Sequence, residues 1–351
     1  MMRALEPVLI ERAARLLLDG RLVAFPTETV YGLGADADQP AAVASIFSAK
    51  GRPADHPLIV HVADAAAAAA WAAELSPAAL TLMRRFWPGP LTLVVPRGPR
   101  AHDALTGGQA SVGLRCPSHP WARALLQALG RLAGDAGRAI AAPSANRFGH
   151  ISPTRAEHVR TGLGEAPAGP VHMILDGGPC PLGIESTILD LTAPVPRLLR
   201  PGSVLAAQIE QVLGLRLAEA GANDPTVPRA SGRLARHYAP RRPLQIVAAA
   251  ALAQRIAELG ASRVAVLAPP PAPRTLAAGR FWPAPVRAAD YAQKLYDTLH
   301  AMDASTAEVL LVQAPPQADA QAGAQAEDWV AVHDRLQRSA AAGDGRFDDA
   351  D

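Results

Sequence analysis

The segment Pro26–Val62 constrains the fold of this chain more than any other part of it. It begins where an apolar run, LVAF, ends, and it places two hydroxyls around a carboxylate in the turn Thr27–Thr29. A Gly-x-Gly element and a helix-like stretch ending at Lys50–Arg52 follow, and a second apolar run, LIVH, ends in His61. Polar groups at strand ends and cations at a helix end indicate a small-molecule site in an α/β unit, and the cations favour phosphate.

Length, charge and cysteine usage exclude several classes of protein. With 351 residues the chain can form two domains with ordinary cores. Only Cys116 and Cys180 are present and the ten histidines are scattered, so we expect neither a disulfide framework nor a protein-held transition metal. A net charge of +2 neither demands nor excludes a nucleic-acid partner. No apolar run reaches the length of a membrane span and no signal-peptide core is visible, so a cytoplasmic protein without a membrane partner is expected.

Strand-like and helix-like segments alternate in residues 1–217, which we interpret as one domain. The predicted strands are Leu22–Phe25, Leu58–His61, Leu91–Val95, Ser111–Cys116, Ala139–Ala142, Val171–Leu175, Thr187–Leu191 and Arg197–Leu199. The predicted helices are Pro7–Leu18, Ala41–Ala49, Ala65–Glu74, Pro77–Phe86, Trp121–Leu129 and Ala156–Leu163, with Asp64, Ser76 and Thr154 as N-caps. Strands outnumber helices late in this domain, so the pattern predicts a mixed sheet.

The rest of the chain divides into three parts. Residues 218–243 are rich in Pro, Gly and Arg, which is linker composition, although the run RHYAP is unusual for a passive linker. Residues 244–343 alternate strictly between strand and helix patterns, which predicts a small doubly wound α/β domain. Within it, the low-complexity stretch 315–327 is predicted to be a mobile loop. Residues 344–351 form an acidic tail that is predicted to be disordered.

Further polar groups follow other apolar runs of the first domain. In the run SVGLR, period-two alternation puts Ser111, Gly113 and Arg115 on one face of a strand. An arginine beside a serine can hold a carboxylate or a phosphate through two parallel hydrogen bonds. The remaining polar groups of this kind are Ser144, Asn146, Ser152, Ser186 and Arg200.

Each of these elements alone also fits a structural role, such as a threonine-rich turn or a solvated helix end. Their common position at strand and helix ends favours a site, because four cations share it: Lys50, Arg52, Arg115 and Arg200. They are accompanied by no cysteine nucleophile, no G-x-S-x-G motif, no His–carboxylate pairing at hydrolase spacing and no Walker A loop. The pattern therefore indicates a site that positions a polyphosphate and neutralises its charge, as in phosphoryl or nucleotidyl transfer.

The same residues carry a resemblance to a known family. PTETVYGLG, the K-x-R-P element at Lys50–Pro53, PLIVHV, the Ser-Ala-Asn at Ser144–Asn146, the Ser-Pro-Thr at 152–154, the Glu-Ser-Thr at 185–187 and the Leu-Arg-Pro-Gly at 199–202 resemble the YrdC-like domain. With the HYAP linker and the trailing α/β domain, nearly the whole chain resembles the long, two-domain form of L-threonylcarbamoyladenylate synthase. The resemblance is specific because seven motifs occur in order.

The resemblance implies a fold and a reaction. The fold is a twisted mixed sheet with a concave basic face, followed by a small C-terminal Rossmann-like domain. The reaction makes threonylcarbamoyl-AMP and pyrophosphate from L-threonine, bicarbonate or CO₂, and ATP, with Mg²⁺ accompanying the ATP and no organic cofactor. The product would go to the tRNA threonylcarbamoyl transferase machinery, and a contact with RNA is possible.

The resemblance also implies roles for individual residues. The implied L-threonine contacts are Thr29, His61, Arg115 and Ser186. The implied ATP contacts are Lys50, Arg52, His56, Ser111, Ser144, Asn146, Ser152, Arg200 and Tyr238. Lys50 and Arg52 would act electrostatically, Tyr238 would close over the nucleotide from the linker, and His61 is the only candidate general base by residue type.

Two positions depart from the family pattern. His56 stands where many members have asparagine, and because an imidazole titrates near neutrality the contact there is predicted to depend on pH. The linker reads ASGRLARHY where other members carry a Pro-Gly-Met-Lys-type run. The His-Tyr-Ala-Pro core is retained, so closure of the linker over the nucleotide is predicted to be kept.

Two other functions fit part of the pattern. A non-catalytic protein that binds double-stranded RNA would also use a concave basic surface, but the cations here lie among hydroxyls and are not interleaved with exposed aromatics. A carbamoyl transferase of the hydrogenase-maturation type shares the YrdC-like domain, but such chains carry several C-x-x-C zinc motifs and this chain has two isolated cysteines.

Overall fold

A computed structural model describes residues 3–218, 221, 224, 226–232, 234, 237–274, 276, 279–316 and 324–341. The contacts divide the chain into two compact units, which we call the N-terminal unit (Met1–Phe148 with Ser152–Arg233) and the C-terminal unit (Gly149–Ile151 with Leu234–Asp351). The division falls between residues 233 and 234, inside the segment 218–243 that the sequence predicts as a linker. The predicted tail, residues 344–351, lies outside the described residues.

The N-terminal unit is built on a mixed sheet flanked by helices. Its strands are β1 Val23–Pro26, β2 Tyr31–Asp36, β3 Ile59–His61, β4 Leu91–Pro96, β5 Ser111–Arg115, β6 Ile140–Ala141, β7 Met173–Ile174, β8 Thr187–Asp190 and β9 Arg197–Arg200. Its helices are α1 Pro7–Leu18, α2 Pro40–Lys50, α3 Ala65–Ala69, α4 Pro77–Phe86, α5 Asp103–Thr106, α6 Pro120–Ala133, α7 Ala156–Gly162 and α8 Ala206–Leu213. The described strands follow the order β7-β1-β2-β6-β3-β5-β4-β8-β9 with parallel and antiparallel neighbours, so the predicted mixed sheet is confirmed.

Local sequence explains most helix boundaries. The Asp64 side chain accepts from the Ala67 amide, and the Ser76 side chain accepts from the Ala79 amide, so both predicted N-caps are confirmed. The predicted N-cap Thr154 is wrong: α7 begins at Ala156 as predicted, so Arg155 occupies the cap position, without a side-chain hydrogen bond. At the C-terminal end of α2, Gly51 adopts a φ of 60°, which ends the helix directly after Lys50.

Strand β2 was not predicted, since its sequence YGLGAD reads as a glycine turn. The reason for Gly34 is packing across the sheet. A Cβ at this position would lie 2.9 Å from the ring of Phe25 and 2.9 Å from Ile140, closer than such atoms approach. Glycine therefore allows β2 to lie between β1 and β6 in a buried part of the sheet.

One sheet face is covered by helices at one end, and farther along it Val227 and Ala230 pack against a cluster that includes Val94 and Ile188. Helices α1 and α6 pack over Val23, Phe25 and Ile140 on this face. Ile140 pairs directly with His61 of β3, so His61 lies on the same face, farther along the sheet. The opposite face of β3, β5, β4 and β8 is buried in the main core, to which Val60 and Leu114 belong. Beyond α1 and α6 the first face thus lies under the segment around Ala230, and a pocket lies between them.

The C-terminal unit contains a parallel sheet of the described strands in the order β10-β13-β11-β12. Its elements are β10 Leu244–Val247, a 3₁₀ turn Ala249–Ala251, α9 Leu252–Leu259, β11 Val264–Ala268, β12 Phe281–Pro283, α10 Ala288–Asp303, β13 Val309–Gln313 and α11 Ala324–Ala340. The predicted alternation of strands and helices is confirmed, although the short strand β12 was missed. The loop predicted over residues 315–327 is wrong at its end, where α11 begins, and residues 317–323 lie outside the described structure. Among the described helices, none combines the length and the apolar character that a membrane span requires.

Candidate active site

The candidate site lies in the N-terminal unit, on the face of β3, β5, β4 and β8 that carries His61 and Arg115. Across β3 and β5, His61 pairs with Arg115 and Ile59 pairs with Gly113. An open pocket with about 300 Å³ of empty space, part of it solvent, lies against this face. Its lining includes Ser111 and Ser231 together with residues of β3, β4, β5 and β8. The predicted strand around Ser111–Arg115 is confirmed, and its period-two face is the one exposed to the pocket.

Arg115 is buried beside Glu28, a carboxylate of the Thr27–Thr29 turn for which the sequence pattern names no partner. Arg115 Nη2 lies 2.7 Å from Oε1 of Glu28, and each side chain is only 5% exposed. The other carboxylate oxygen, Oε2, accepts from the Ser118 amide at 3.1 Å. The angles at the Glu28–Arg115 contact are not those of a hydrogen bond, and among the described residues Nε and Nη2 of Arg115 have no hydrogen-bond acceptor. Arg115 therefore has fixed position and unused donors, which suit a ligand carboxylate.

His61 is buried next to this cation. Its Nδ1 lies 3.2 Å from the carbonyl oxygen of Ile59, and its ring meets Phe25 edge-on at 6.2 Å between centroids. Burial, and secondly the charge of Arg115, lower the pKa of His61 to about 3. The imidazole is therefore neutral at physiological pH and a very weak base, which argues against the general-base role that its residue type suggested.

The lowered pKa of His61 predicts a loss of stability in acid. An unfolded histidine has a pKa of ~6.5, so between pH ~6.5 and ~3 the unfolded chain binds a proton that the folded chain excludes. The free energy of unfolding should fall by about 2 kcal/mol from this residue alone between pH ~6.5 and ~5. Urea unfolding of the wild type and His61→Gln at both pH values measures the difference. The exposed His172→Gln serves as control, and an equal acid loss in wild type and His61→Gln would contradict the assignment.

In the Thr27–Thr29 turn, one threonine stabilises the turn and the other is free to contact a ligand. Thr27 Oγ1 donates to the Val30 carbonyl at 2.7 Å, so its single proton is used within the turn. Thr29 Oγ1 lies 2.8 Å from Thr27 Oγ1 and therefore donates to it. Thr27 has the plain turn role, whereas Thr29, fully buried, keeps acceptor capacity that suits an ammonium group.

Ser186 lies between a strand hydroxyl and a cation. Its Oγ is 2.8 Å from Thr92 Oγ1 of β4 and accepts from Arg200 Nη2 at 3.1 Å. Arg200 also donates through Nε to the Ser186 carbonyl at 3.0 Å and through Nη1 to the Ser231 carbonyl at 3.1 Å. The structure thus joins Ser186, predicted on the amino-acid side, to Arg200, predicted on the nucleotide side.

Arg52 contacts the same short segment as Arg200. Its Nη2 donates to the Pro57 carbonyl at 3.0 Å and to Ser231 Oγ at 3.2 Å, and its guanidinium carbon lies 5.5 Å from the centroid of the Phe148 ring. The Ser231 hydroxyl in turn donates to the Pro57 carbonyl at 3.2 Å. Two cations predicted to bind a triphosphate therefore both hold Ser231.

His56 shares the ring of Phe148 with Arg52. The two rings meet edge-on with centroids 5.3 Å apart. Desolvation, followed by the charge of Arg52, lowers the pKa of His56 below its usual value. The pH dependence predicted for this position is therefore expected on the acidic side of neutrality.

Lys50 is buried and contacts the Ser144–Asn146 loop. Its Nζ donates to the Ser144 carbonyl at 2.6 Å and also to the Asn146 carbonyl. Burial, and secondly Arg52, hold the pKa of Lys50 well below its ordinary value. Lys50 thus fixes the backbone of the loop that carries two predicted ATP contacts.

The remaining predicted residues are placed as follows. The Ser152 hydroxyl donates to Glu185 Oε1 at 2.5 Å, and both side chains are buried. Tyr238 belongs to the C-terminal unit, where its ring is 5.6 Å from Tyr296 and lies under the guanidinium of Arg335 at 5.2 Å. Tyr238 also has a φ of 61°. Its predicted role over a nucleotide stays a prediction.

The sequence pattern assigns no contact to three residues that shape this site: Glu28, Thr92 and Ser231. Glu28 had a usable signal, since a carboxylate between two threonines at a buried strand end requires a cationic partner. Thr92 lies in a predicted strand on the face that period two assigns to the site. Ser231 had no such signal, because it lies 179 residues from Arg52 in the chain.

Comparisons with known proteins decide the family. A model that covers Sua5, YciO and YrdC, described as "Telomere recombination", matches residues 15–202. The chain belongs to this family. A second model, described as the C-terminal domain of threonylcarbamoyl-AMP synthase, matches residues 204–341. The resemblance that the sequence motifs carry is therefore confirmed.

Individual relatives agree with the family models. A threonylcarbamoyl-AMP synthase of Bacillus subtilis is 46% identical over 68% of this chain, and one of Pyrococcus abyssi is 45% identical over 68%. The aligned regions span 66% and 67% of these relatives' own lengths, so they cover about two thirds of each.

Solved structures of a relative are similar to this chain over nearly its whole length, and so over both of its units. The crystal structure of P. abyssi Sua5 complexed with L-threonine matches with a TM-score of 0.85 and 35% identity over 96% of each chain. A P. abyssi Sua5 variant in which a consecutive His-Tyr pair is replaced by alanines matches with a TM-score of 0.82 and 34% identity, covering 97% of this chain and 95% of that one.

Proposed function

We propose that this chain is a threonylcarbamoyl-AMP synthase, which joins L-threonine, bicarbonate or CO₂, and ATP into threonylcarbamoyl-AMP with release of pyrophosphate. The observation that carries the proposal is Arg115, a buried arginine fixed by Glu28 whose Nε and Nη2 have no acceptor among the described residues. Such an arginine suits the carboxylate of an amino acid. The names of the relatives and the L-threonine bound to the P. abyssi protein support the same substrate.

The amino-acid half of the site follows from the residues around Arg115. The register of β3 and β5 places His61 beside Arg115, and Thr29 offers an acceptor for the substrate ammonium. Ser186 and Thr92 form a pair of linked hydroxyls that can read the threonine hydroxyl. This set binds and orients the amino acid through one ion pair and several neutral hydrogen bonds.

The nucleotide half lies where Arg52 and Arg200 meet. Both guanidinium groups donate to Ser231, one to its hydroxyl and one to its carbonyl. Phosphate oxygens are better acceptors for arginine than a hydroxyl or a carbonyl, because the hydrogen bonds become charge-assisted. A triphosphate at this position would therefore replace the contacts to Ser231.

The proposed chemistry needs positioning and charge neutralisation. The threonine ammonium first gives up one proton to solvent. The free amine then adds to CO₂ with release of a second proton, or displaces water from bicarbonate, and either route gives the carbamate. A carbamate oxygen then attacks the α-phosphorus of ATP, and the bond to the pyrophosphate oxygen breaks. Arg52 and Arg200 stabilise charge on the phosphates, and His61 serves as a neutral contact because its pKa is about 3.

Magnesium enters this proposal as a companion of ATP. Within the described residues no group of three or more His, Cys, Asp or Glu side chains is arranged to hold a metal ion. Mg²⁺ commonly binds through substrate phosphates and water with few protein ligands, so the residues present are compatible with it. When bound, it would neutralise charge on the triphosphate.

The product, a mixed anhydride, would be consumed by an enzyme that transfers the threonylcarbamoyl group to tRNA. The test of the proposed reaction is pyrophosphate release by the purified chain. Release should require ATP, L-threonine and bicarbonate together with Mg²⁺. Omission of any one of the first three should reduce release to background. Release that persists without threonine or bicarbonate, or no release with all of them, would reject the synthase and leave a binding protein as the alternative.

A further inference from the structure

Gly113 occupies the centre of the site face in an unusual setting. It is the middle residue of β5, and its neighbours across the sheet are Ile59 on β3 and Val94 on β4. Glycine in a strand interior weakens the strand, because it adds backbone entropy and contributes no side chain to packing. A reason for glycine at this position therefore has to come from the fold or from a ligand.

The fold does not require glycine at position 113. Its φ is not in the left-handed region. A Cβ built there would lie 3.5 Å from Thr92 Cγ2 and 3.7 Å from Ile59 Cγ1, which are ordinary contact distances. This differs from Gly34 of β2, where a Cβ would meet Phe25 and Ile140 at 2.9 Å. The space over Gly113 is thus left open without a packing reason.

That space is part of the pocket on the site face. Ile59, Val94 and Ile188 supply apolar walls around Gly113, and Ser111 and Gln109 supply polar groups at the rim. The charged pair Glu28–Arg115 belongs to the next cross-strand row, where Arg115 pairs with His61. The pocket is therefore apolar beside Gly113, whereas Thr92, Ser231 and Arg229 add polar and charged groups elsewhere in its lining.

We infer that Gly113 is a specificity-determining residue, whose missing side chain leaves the floor on which a planar heteroaromatic base lies. This inference rests on the proposed function, in which the base is the adenine of ATP. A flat ring would bury its face against the half-buried Gly113 between Ile59 and Val94, and its polar edge would reach the polar groups of the lining. The amino-acid substrate, by contrast, carries two charges and belongs in the row of Arg115.

A graded series at position 113 tests the inference. Gly113→Val adds two methyl groups beyond the Cβ and fills the floor, and valine favours strand structure, so the fold should be kept. The ATP Kd, measured by calorimetry, should rise about ten-fold or more. Gly113→Ala should weaken ATP binding less than valine does. The matched control is Ala110→Val, an exposed residue of the same segment, which should bind ATP as the wild type does.

Binding of two further ligands separates the contribution of the base from that of the amino acid and the phosphates. L-Threonine should bind Gly113→Val as it binds the wild type. ATP should bind the wild type more tightly than inorganic tripolyphosphate, and valine should remove most of that advantage, because Arg52 and Arg200, and not Gly113, are proposed to hold the phosphates.

Three results would overturn the inference. They are unchanged ATP affinity in Gly113→Val, a selective loss of L-threonine affinity, and equal losses for ATP and tripolyphosphate. A wild type that binds ATP but forms no product would reject the proposed function alone, and the binding series would still decide the role of Gly113.

Discussion

Replacing Arg52 with alanine is expected to lower kcat/KM for ATP by at least about 100-fold while the protein stays folded. The loss follows from removing a buried guanidinium that, in the proposed reaction, stabilises charge on the triphosphate. The fold should be kept because the Pro57 carbonyl, which Arg52 contacts at 3.0 Å, retains the hydroxyl of Ser231 at 3.2 Å as a second donor. Pyrophosphate release and thermal unfolding measure the two effects.

Two further variants sharpen the test of Arg52. Arg52→Lys keeps the charge but loses the planar fork that contacts Pro57 and Ser231, so an intermediate rate is expected. Arg131→Ala removes an exposed arginine of α6, with a side chain that is 63% exposed, and should leave the rate unchanged. Turnover of Arg52→Ala at the wild-type rate would refute the phosphate role.

Loss of Arg115 is expected to have two separable effects. Arg115→Met leaves the carboxylate of Glu28 buried without its cation, which should cost about 3–5 kcal/mol of unfolding free energy. It should also abolish measurable L-threonine binding, because the proposed partner of the substrate carboxylate is gone. Urea unfolding measures the first effect, and calorimetry with L-threonine measures the second.

The double variant Glu28→Gln/Arg115→Met separates these effects. Both charges are then removed, so most of the lost stability should return, while L-threonine binding should stay absent. Glu28→Gln alone should keep weakened L-threonine binding, since Arg115 remains but loses the carboxylate that positions it. A double variant that binds L-threonine like the wild type would show that Arg115 is structural only.

The sequence predicted the fold well where local patterns decide it. Helices α1 and α4 have the predicted bounds, because proline at the first turn and an amphipathic pattern mark them. Helix α3 is shorter than the predicted Ala65–Glu74, since Trp71 leaves the helix to bury its ring and donate to the Gly137 carbonyl at 2.9 Å. That contact joins distant segments, and a local pattern does not contain it.

The residues of the candidate site also differ in how far the sequence alone predicts them. Arg115 and Ser186 were predicted from their places on strand faces and at strand ends, which short sequence windows record. The partners that fix them are distant in the chain: Glu28 lies in the turn between β1 and β2, and Thr92 lies on β4, so their identity depends on sheet order. The weak basicity of His61 also depends on tertiary structure, because burial and the neighbouring Arg115 cause it.

The most direct test of the central claim is mass spectrometry of the nucleotide product formed from ¹³C-labelled bicarbonate, L-threonine, ATP and Mg²⁺. The proposed reaction predicts a single new nucleotide with the mass of threonylcarbamoyl-AMP that carries one ¹³C atom, formed together with an equal amount of pyrophosphate. A threonyl-AMP without the label, or hydrolysis of ATP without a new nucleotide, would contradict it.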